Sequence, residues 1–330
     1  MLLIALCRFD SFRAMGQWAA VAPPATLERL GLRRGGAFAL VKAPSADTIR
    51  RVVNSVLPGG LEQLLRAFEE KASVVAVDGK CLRGARDAAG QAVMVLGAML
   101  QDGTLVAQQK VADKGSEITG FAALLAALEL EDAVVVADAL YTQREHARVL
   151  GEEFGAHYAF GQAEPDGFVG GVPEGALGPG AGRLPLHGAR PRPDRYAGVE
   201  VVSFAGLDFP YARQGARITR YRTVRASGKR SLETVYVITD LSSSQADPQR
   251  IGEIVQSEIH YVRDVTFGED ASRTRTGHGP QNMATLRSVA MNFLRRMGAS
   301  IADTRRQLAL APHTAPLDLF GIPCDAHVHA

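Results

Sequence analysis

The feature that most constrains the fold is a series of short apolar runs in the first half of the chain. Three of them are rich in β-branched residues and are separated by turn residues: Val74–Val77, Val93–Leu96 and Thr104–Ala107. This pattern predicts three strands in an antiparallel meander. Residues 133–137, Ala-Val-Val-Val-Ala, form an unbroken apolar run, which indicates a fourth strand buried on both faces.

Segments with helical spacing lie on either side of the fourth strand. Apolar residues recur at helical intervals from Ile118 to Leu128, and again from Gln143 to Leu150. The order strand, strand, strand, helix, strand, helix is that of a ribonuclease-H-like core. We therefore predict an α/β fold with such a core over residues 71–330.

The residues before the core have a different pattern. Helical spacing over residues 11–70, with Pro44-Ser45 as a helix start, predicts a small helical N-terminal region within residues 1–70. The apolar run at residues 1–7 is too short for a signal peptide or a membrane span. The three scattered cysteines predict a reducing compartment without structural disulfides or zinc. The expected location is cytoplasmic.

A β-rich insertion is predicted at about residues 161–245. Its first part, residues 161–198, is rich in Gly and Pro and is predicted to be a loop. Residues 216–221 and 234–238 indicate strands. Two helices are predicted after it, near residues 248–263 and 280–297.

The net charge of +2 conceals a strongly basic stretch. Residues 181–230 contain ten arginines and one lysine against two aspartates and one glutamate. Guanidinium groups bind phosphate oxygens and release condensed counterions, so this stretch is predicted to contact a nucleic-acid backbone. The alternative is an ordinary solvated face.

Two aspartates follow predicted strands. Asp78 comes at the end of the first apolar run, and Asp138 directly follows the buried fourth run. If these strands are neighbours, both carboxylates emerge at one sheet edge. Hard oxygen ligands of this kind suit Mg²⁺, and a pair of metal ions stabilises the attacking and leaving oxygens of an in-line displacement. The alternative for each aspartate is a turn former or a helix cap.

A third acid is predicted on the first of the two later helices. Several apolar residues form one stripe of that helix: Ile251, Ile254, Val255, Ile259 and Val262. Glu258 falls inside the stripe, because it lies seven residues after Ile251 and four after Ile254. A carboxylate on a buried face is costly unless it is paired or bound to metal. Glu258 is therefore a candidate ligand; the alternative is an ion pair with a core arginine.

Three longer segments carry a resemblance to a known family: residues 77–84 (VDGKCLRG), 137–147 (ADALYTQREHA) and 262–272 (VRDVTFGEDAS). They resemble the ISAs-type insertion-sequence transposases, also called H-repeat-associated proteins, of the DDE superfamily. The resemblance also includes residues 233–236 and 277–295. It implies a ribonuclease-H-like catalytic core, divalent metal, and cutting and joining of DNA at transposon ends. The first two catalytic aspartates of the family match Asp78 and Asp138.

The chain departs from the family pattern in three places. The family has a longer helical lead, so the chain is expected to be truncated. A His-Trp pair normally precedes the third acid, but residues 251–261 lack it, so Glu258 is a nearby substitute. A Lys-x-Asn-Gln element is replaced by residues 160–163, Phe-Gly-Gln-Ala. These departures indicate a degraded or truncated copy.

The sequence therefore predicts a DNA transposase that performs metal-dependent cleavage and strand transfer at insertion-sequence ends. Asp78, Asp138 and Glu258 would hold two Mg²⁺ or Mn²⁺ ions, with Asp78 bridging both. The predicted DNA-binding residues are basic: Lys80, Arg83, Arg217, Arg220, Arg222, Lys229 and Arg230. The expected partner is double-stranded DNA with terminal inverted repeats, bound by a homodimer, and no membrane is expected. Association with the bacterial nucleoid is expected for such a protein. Two alternatives remain open: an inactive remnant that only binds DNA, and a metal-dependent nuclease without joining activity.

Overall fold

The computed structural model describes residues 11–57, 59–68, 71–86, 90–111, 114–162, 196–203, 208–223, 230–255, 272–298 and 300–323. The strands in chain order are β1 (Arg34–Gly35), β2 (Leu40–Val41), β3 (Val74–Arg86), β4 (Ala92–Leu100), β5 (Leu105–Val111), β6 (Val134–Ala137), β7 (His157–Gln162), β8 (Tyr196–Ser203), β9 (Gln214–Thr223) and β10 (Arg230–Thr239). The helices in chain order are α1 (Phe12–Val21), α2 (Pro24–Arg29), α3 (Ala46–Ser55), α4 (Gln63–Arg66), α5 (Lys114–Leu125), α6 (Arg144–Glu152), α7 (Pro248–Val255), α8 (Gly279–Arg296), α9 (Ile301–Leu310) and α10 (Ala315–Leu319).

Eight strands form one mixed sheet in the order β5-β4-β3-β6-β7-β10-β9-β8. β3, β4 and β5 form the predicted antiparallel meander, whereas β3, β6 and β7 are parallel neighbours. Helix α5 joins β5 to β6, and α6 joins β6 to β7. Three antiparallel strands followed by two parallel strands with helical connections make a ribonuclease-H-like core. The predicted α/β fold class is confirmed.

The two faces of the central strands pack against different helices. Val75 and Val135 belong to a core that contains Phe121 of α5 and Leu150 of α6. Val74 and Val134, on the opposite face, pack with residues of α7. Because both faces are covered, β6 needs apolar residues at almost every position. Its burial explains the unbroken run of apolar residues at 133–137.

Three further strands, β10, β9 and β8, extend the sheet beyond β7. The predicted strands at 216–221 and 234–238 are confirmed as parts of the longer β9 and β10, which pair antiparallel with each other. The predicted loop was wrong at both ends, because Gly161 belongs to β7 and Gly198 to β8. Residues 163–195 lie outside the described ranges. Glycine is unfavourable in strands, but cross-strand pairing holds both of these positions.

The described residues before β3 are mainly helical, and they pack on α8. Ser45 caps α3 by accepting a hydrogen bond from the backbone N–H of Thr48 at 3.2 Å, so the predicted helix start is confirmed. Met15 and Val53 share a core with Met283 of α8. The region also contains the antiparallel pair β1–β2, which helical spacing did not predict.

Helix α8 confirms the prediction near residues 280–297 and connects the N-terminal region to the sheet. Unlike an amphipathic surface helix, it is buried around its first four turns, and its polar side chains bond to its neighbours. Asn282 Nδ2 donates to the Val53 carbonyl oxygen at 2.7 Å, and the Asn292 side chain bonds to Leu105 on β5. Because β5 is the outermost strand, α8 covers that edge of the sheet. Among the helices of the described residues, none is long and apolar enough to cross a membrane.

Candidate catalytic site

The two predicted aspartates lie side by side on neighbouring strands. β3 and β6 are parallel, and their last paired residues are Val77 and Ala137. Asp78 and Asp138 are the next residue on each strand, and neighbouring strands lie about 4.8 Å apart. Asp138 keeps an extended backbone, with φ −77° and ψ −178°. The expectation that the two strands are neighbours is confirmed.

The alternation of side chains places both aspartates on one face of the sheet. Residues two apart in a strand share a face, so Asp78 follows Val74 and Ala76, and Asp138 follows Val134 and Val136. On this face α7 packs against Val74 and Val134. Next to it, α4 and α8 pack against Ala76 and Val136. The two carboxylates therefore extend a sheet face that is covered by α7 on one side and by α4 and α8 on the other.

Asp78 does not end its strand, so that part of the prediction was wrong. β3 continues to Arg86, and Asp78 pairs with Gly97 of β4. The reason is that β6 ends at Ala137, whereas β4 continues to pair with β3 beyond Asp78. The residue therefore lies where its parallel neighbour stops. Asp78 and Lys80 are both half-buried and, being two residues apart, they share a face.

Asp138 also acts as a cap, which was the alternative role foreseen for it. Its side chain is exposed, and Oδ1 accepts a hydrogen bond from the backbone N–H of Leu140 at 3.0 Å. This bond starts a short 3₁₀ turn over Ala139–Tyr141. A carboxylate has two oxygens with several lone pairs. Capping through one oxygen is therefore compatible with a second role as a metal ligand.

The turn after Asp138 is held by side chains whose role the sequence pattern did not indicate. Thr142 Oγ1 donates to the Gly161 carbonyl oxygen of β7 at 2.5 Å. The buried His146 places Nδ1 2.9 Å from the Tyr141 carbonyl oxygen, and its ring stacks on Phe121 at 4.2 Å. Except for Phe121 and Gly161, these residues lie in the 137–147 segment. The resemblance of that segment to a known family was the signal that could have pointed to them. They fix the position of Asp138 between β6 and β7.

The third predicted acid, Glu258, lies outside the described residues. α7 is described as far as Val255, and its Ile251 and Ile254 pack on the face from which the aspartates project. Glu258 continues the same helical stripe by spacing alone and stays a prediction. Within the ranges that the structure describes, no group of three or more His, Cys, Asp or Glu side chains is placed to hold a metal ion.

The predicted DNA-binding residues have different positions. Arg217 of β9 forms an ion pair with Glu200 across the β8–β9 pairing. Arg220 and Arg222 follow on β9, and Arg230 begins β10. At these three positions, and at Arg83 of β3, only the backbone is described. Lys229 lies outside the described residues. β9 runs parallel to β3 and β6, so positions 220 and 222 lie toward the same end of the sheet as the aspartates.

The chain is similar in sequence to one family model and to two relatives. The sequence model of the family described as "Transposase DDE domain" matches residues 69–293. YncI of Escherichia coli O157:H7 is 23% identical over 279 residues, which cover 76% of this chain and 71% of that protein. The H repeat-associated protein YhhI of Escherichia coli K12 is 25% identical over 295 residues, which cover 81% of this chain and 78% of that protein. Both relatives are named as candidate transposases.

A solved structure was also found to be similar. It is a cryo-EM structure of the piggyBac transposase synaptic complex with hairpin DNA. The similarity has a TM-score of 0.45 at 12% identity and covers 96% of this chain and 70% of that one. The fold assignment rests on the strand order of this chain's own sheet.

Proposed function

The chain belongs to the Transposase DDE domain family, whose members use divalent metal ions in general, and on that premise we propose that it is a DNA transposase. It would cleave and join DNA at insertion-sequence ends. The observation that carries the proposal is the register of β3 and β6, which brings Asp78 and Asp138 to neighbouring positions. We further propose residues 71–330 as the catalytic unit, with the insertion at about 161–245 and a helical region before residue 70.

The two aspartates fit a divalent metal such as Mg²⁺ or Mn²⁺, because both offer hard carboxylate oxygens on one face. Asp78, Asp138 and Glu258 would together hold two such ions. Metal ions bound there would supply charge stabilisation for the attacking and leaving oxygens. A water molecule or a DNA 3′-hydroxyl would form the new P–O bond while the bond to the leaving 3′-oxygen breaks. Lys80, on the face of Asp78, would hold the DNA strand.

The proposed partner is double-stranded DNA with terminal inverted repeats. Arg217 already pairs with Glu200, so the basic contacts of the insertion would come mainly from Arg220, Arg222, Lys229 and Arg230. Because two ends must be cut and joined, two active sites are needed, and a homodimer on DNA is proposed.

Asp138 allows a test that separates its cap from its proposed catalytic role. Asp138→Asn keeps an oxygen for the Leu140 N–H but loses the charge. Metal catalysis supplies several kcal/mol of transition-state stabilisation, so Mg²⁺-dependent cleavage of transposon-end DNA should fall about a thousandfold. Thermal unfolding and DNA binding should change little. Asp78→Asn should lose cleavage in the same way.

The matched control is Asp102→Asn. Asp102 also caps a turn, accepting from the Thr104 N–H at 2.8 Å, but it follows β4 at the opposite end of the sheet. This variant should cleave DNA at the wild-type rate. Equal cleavage by Asp138→Asn and Asp102→Asn would refute the proposed site.

A second candidate function is DNA binding without catalysis. The observation that favours it is the altered third-acid motif at residues 251–261. Glu258→Gln separates the two functions, because only an active enzyme loses turnover while DNA binding is retained. Strand-transfer assays with both transposon ends distinguish a transposase from a nuclease that cuts without joining.

A further inference from the structure

An open groove with a volume of about 430 Å³ lies between α3 and the segment that leads into α8. It is separate from the aspartates. Its lining residues come from two distant parts of the chain: Arg50, Arg51, Asn54, Ser55, Thr276 and Gly277. Both arginines are exposed, and neither belongs to the basic stretch at residues 181–230.

The walls of the groove are joined by Asn54. Its Oδ1 accepts a hydrogen bond from the backbone N–H of Gly279 at 2.9 Å, and its Nδ2 donates to the Arg50 carbonyl oxygen at 2.9 Å. Gly277 has φ +65°, and a Cβ at this position would collide with Asn54 Oδ1. The close approach of α3 to this segment therefore depends on glycine, and it fixes the arginines of α3 relative to α8.

The charged groups at the groove are available for an anion. Arg50 pairs with Asp47 on its own helix at 3.2 Å, and both side chains are more than half exposed. Exposed pairs of this kind contribute little stability, so the guanidinium can exchange Asp47 for a phosphate at small cost. Arg275, two residues before Gly277, is also exposed. Guanidinium groups bind phosphate oxygens in a bidentate geometry.

The groove is connected to the aspartates through β3. The backbone N–H of Arg86 donates to the Arg275 carbonyl oxygen at 2.9 Å, and the Arg275 side chain lies against Gly84. From Asp78 to Gly84 the strand advances six residues, which spans at most about 20 Å. Duplex DNA rises about 3.4 Å per base pair. A duplex that lies along β3 from Asp78 would therefore reach Arg275 within about six base pairs.

We propose that this groove binds the phosphate backbone of the same duplex DNA whose reacting bond lies at Asp78 and Asp138. The inference rests on the proposed function, because it takes the reacting phosphate to lie at the aspartates. Arg50 and Arg51 make the phosphate contacts, and Asn54 positions them. The contacts are to the backbone, so they add affinity without sequence preference.

The test is binding of a labelled 30-base-pair duplex, measured by fluorescence anisotropy at several salt concentrations. The double variant Arg50→Gln/Arg51→Gln should bind about tenfold more weakly at a fixed salt concentration. The slope of log K against log salt should become shallower by about two, because each phosphate contact contributes about one. The loss should be equal for transposon-end and unrelated duplexes.

The matched control is Arg306→Gln. Arg306 is exposed and pairs with Asp303 three residues earlier on α9, just as Arg50 pairs with Asp47 on α3. This variant should keep wild-type affinity and slope. If the wild type binds duplex DNA and the double variant binds equally well, the groove is refuted while the proposed function stands. If the wild type binds no duplex DNA, the proposed function fails, and this inference fails with it.

Discussion

Asn292 on α8 offers a quantitative test of how the sheet edge is stabilised. Its Oδ1 accepts a hydrogen bond from the Leu105 N–H at 3.0 Å, and its Nδ2 donates to the Leu105 carbonyl oxygen at 2.7 Å. Both residues are almost completely buried. The Asn292 side chain therefore pairs the two backbone groups of Leu105 that a further strand would otherwise bond. Asn292→Ala would leave a buried N–H and a buried C=O without partners.

The expected cost follows from those two groups. A buried donor or acceptor left unsatisfied costs about 1–3 kcal/mol, so the free energy of unfolding should fall by about 2–6 kcal/mol. The measurement is equilibrium urea unfolding followed by circular dichroism.

The control is Ser288→Ala, one turn earlier on α8, where the buried hydroxyl donates to the Ala284 carbonyl of its own helix at 3.0 Å. That carbonyl already has a helical partner, so the control should lose less than about 1 kcal/mol. Equal losses in the two variants would refute the reasoning.

Two further predictions concern Tyr158 and Gly277. Burial is the main cause that raises the pKa of Tyr158 above its ordinary value of 10, and the charge of Asp240 adds to it. Above about pH 10 only the unfolded chain loses the tyrosine proton, so the free energy of unfolding falls as pH rises. The stability advantage of the wild type over Tyr158→Phe in urea unfolding should therefore shrink by about 1 kcal/mol between pH 10 and pH 11, and a constant difference would contradict this. Gly277→Ala should lower the melting temperature more than Gly31→Ala does, because both glycines have positive φ but only Gly277 would collide with a neighbour. Equal shifts would show that Asn54 gives way.

Local patterns were sufficient for the central strands and for the aspartate pair. The β-branched runs fixed β3, β4 and β6, and the element order gave the correct neighbours. The position of Asp78 within a longer β3 could not be predicted, because it depends on β4 pairing beyond the end of β6. β7 was not predicted, and residue 161 was assigned to a loop because glycine is typical of loops. In the structure, a Cβ at Gly161 would touch the backbone of Asp138.

Contacts between segments that are distant in the chain could not be predicted from the sequence. Helix α8 was predicted, but its polar residues Asn282 and Asn292 gave no sign that they are buried against α3 and β5. The groove was not foreseen, because Asn54 and Gly279 are 225 residues apart. Glu258 rests on helical spacing alone, and Asp138→Asn and Glu258→Gln remain the decisive variants for the site.

The cover that α8 provides for β5 also has a consequence during synthesis. Leu105 and Asn292 are separated by 187 residues. At a translation rate of about 5–20 residues per second, roughly 10–40 s pass before the cover emerges. Throughout that interval the outer edge of β5 is an unpaired template for strands of other nascent chains. Chains that terminate before residue 279 should therefore accumulate as aggregates rather than as soluble fragments.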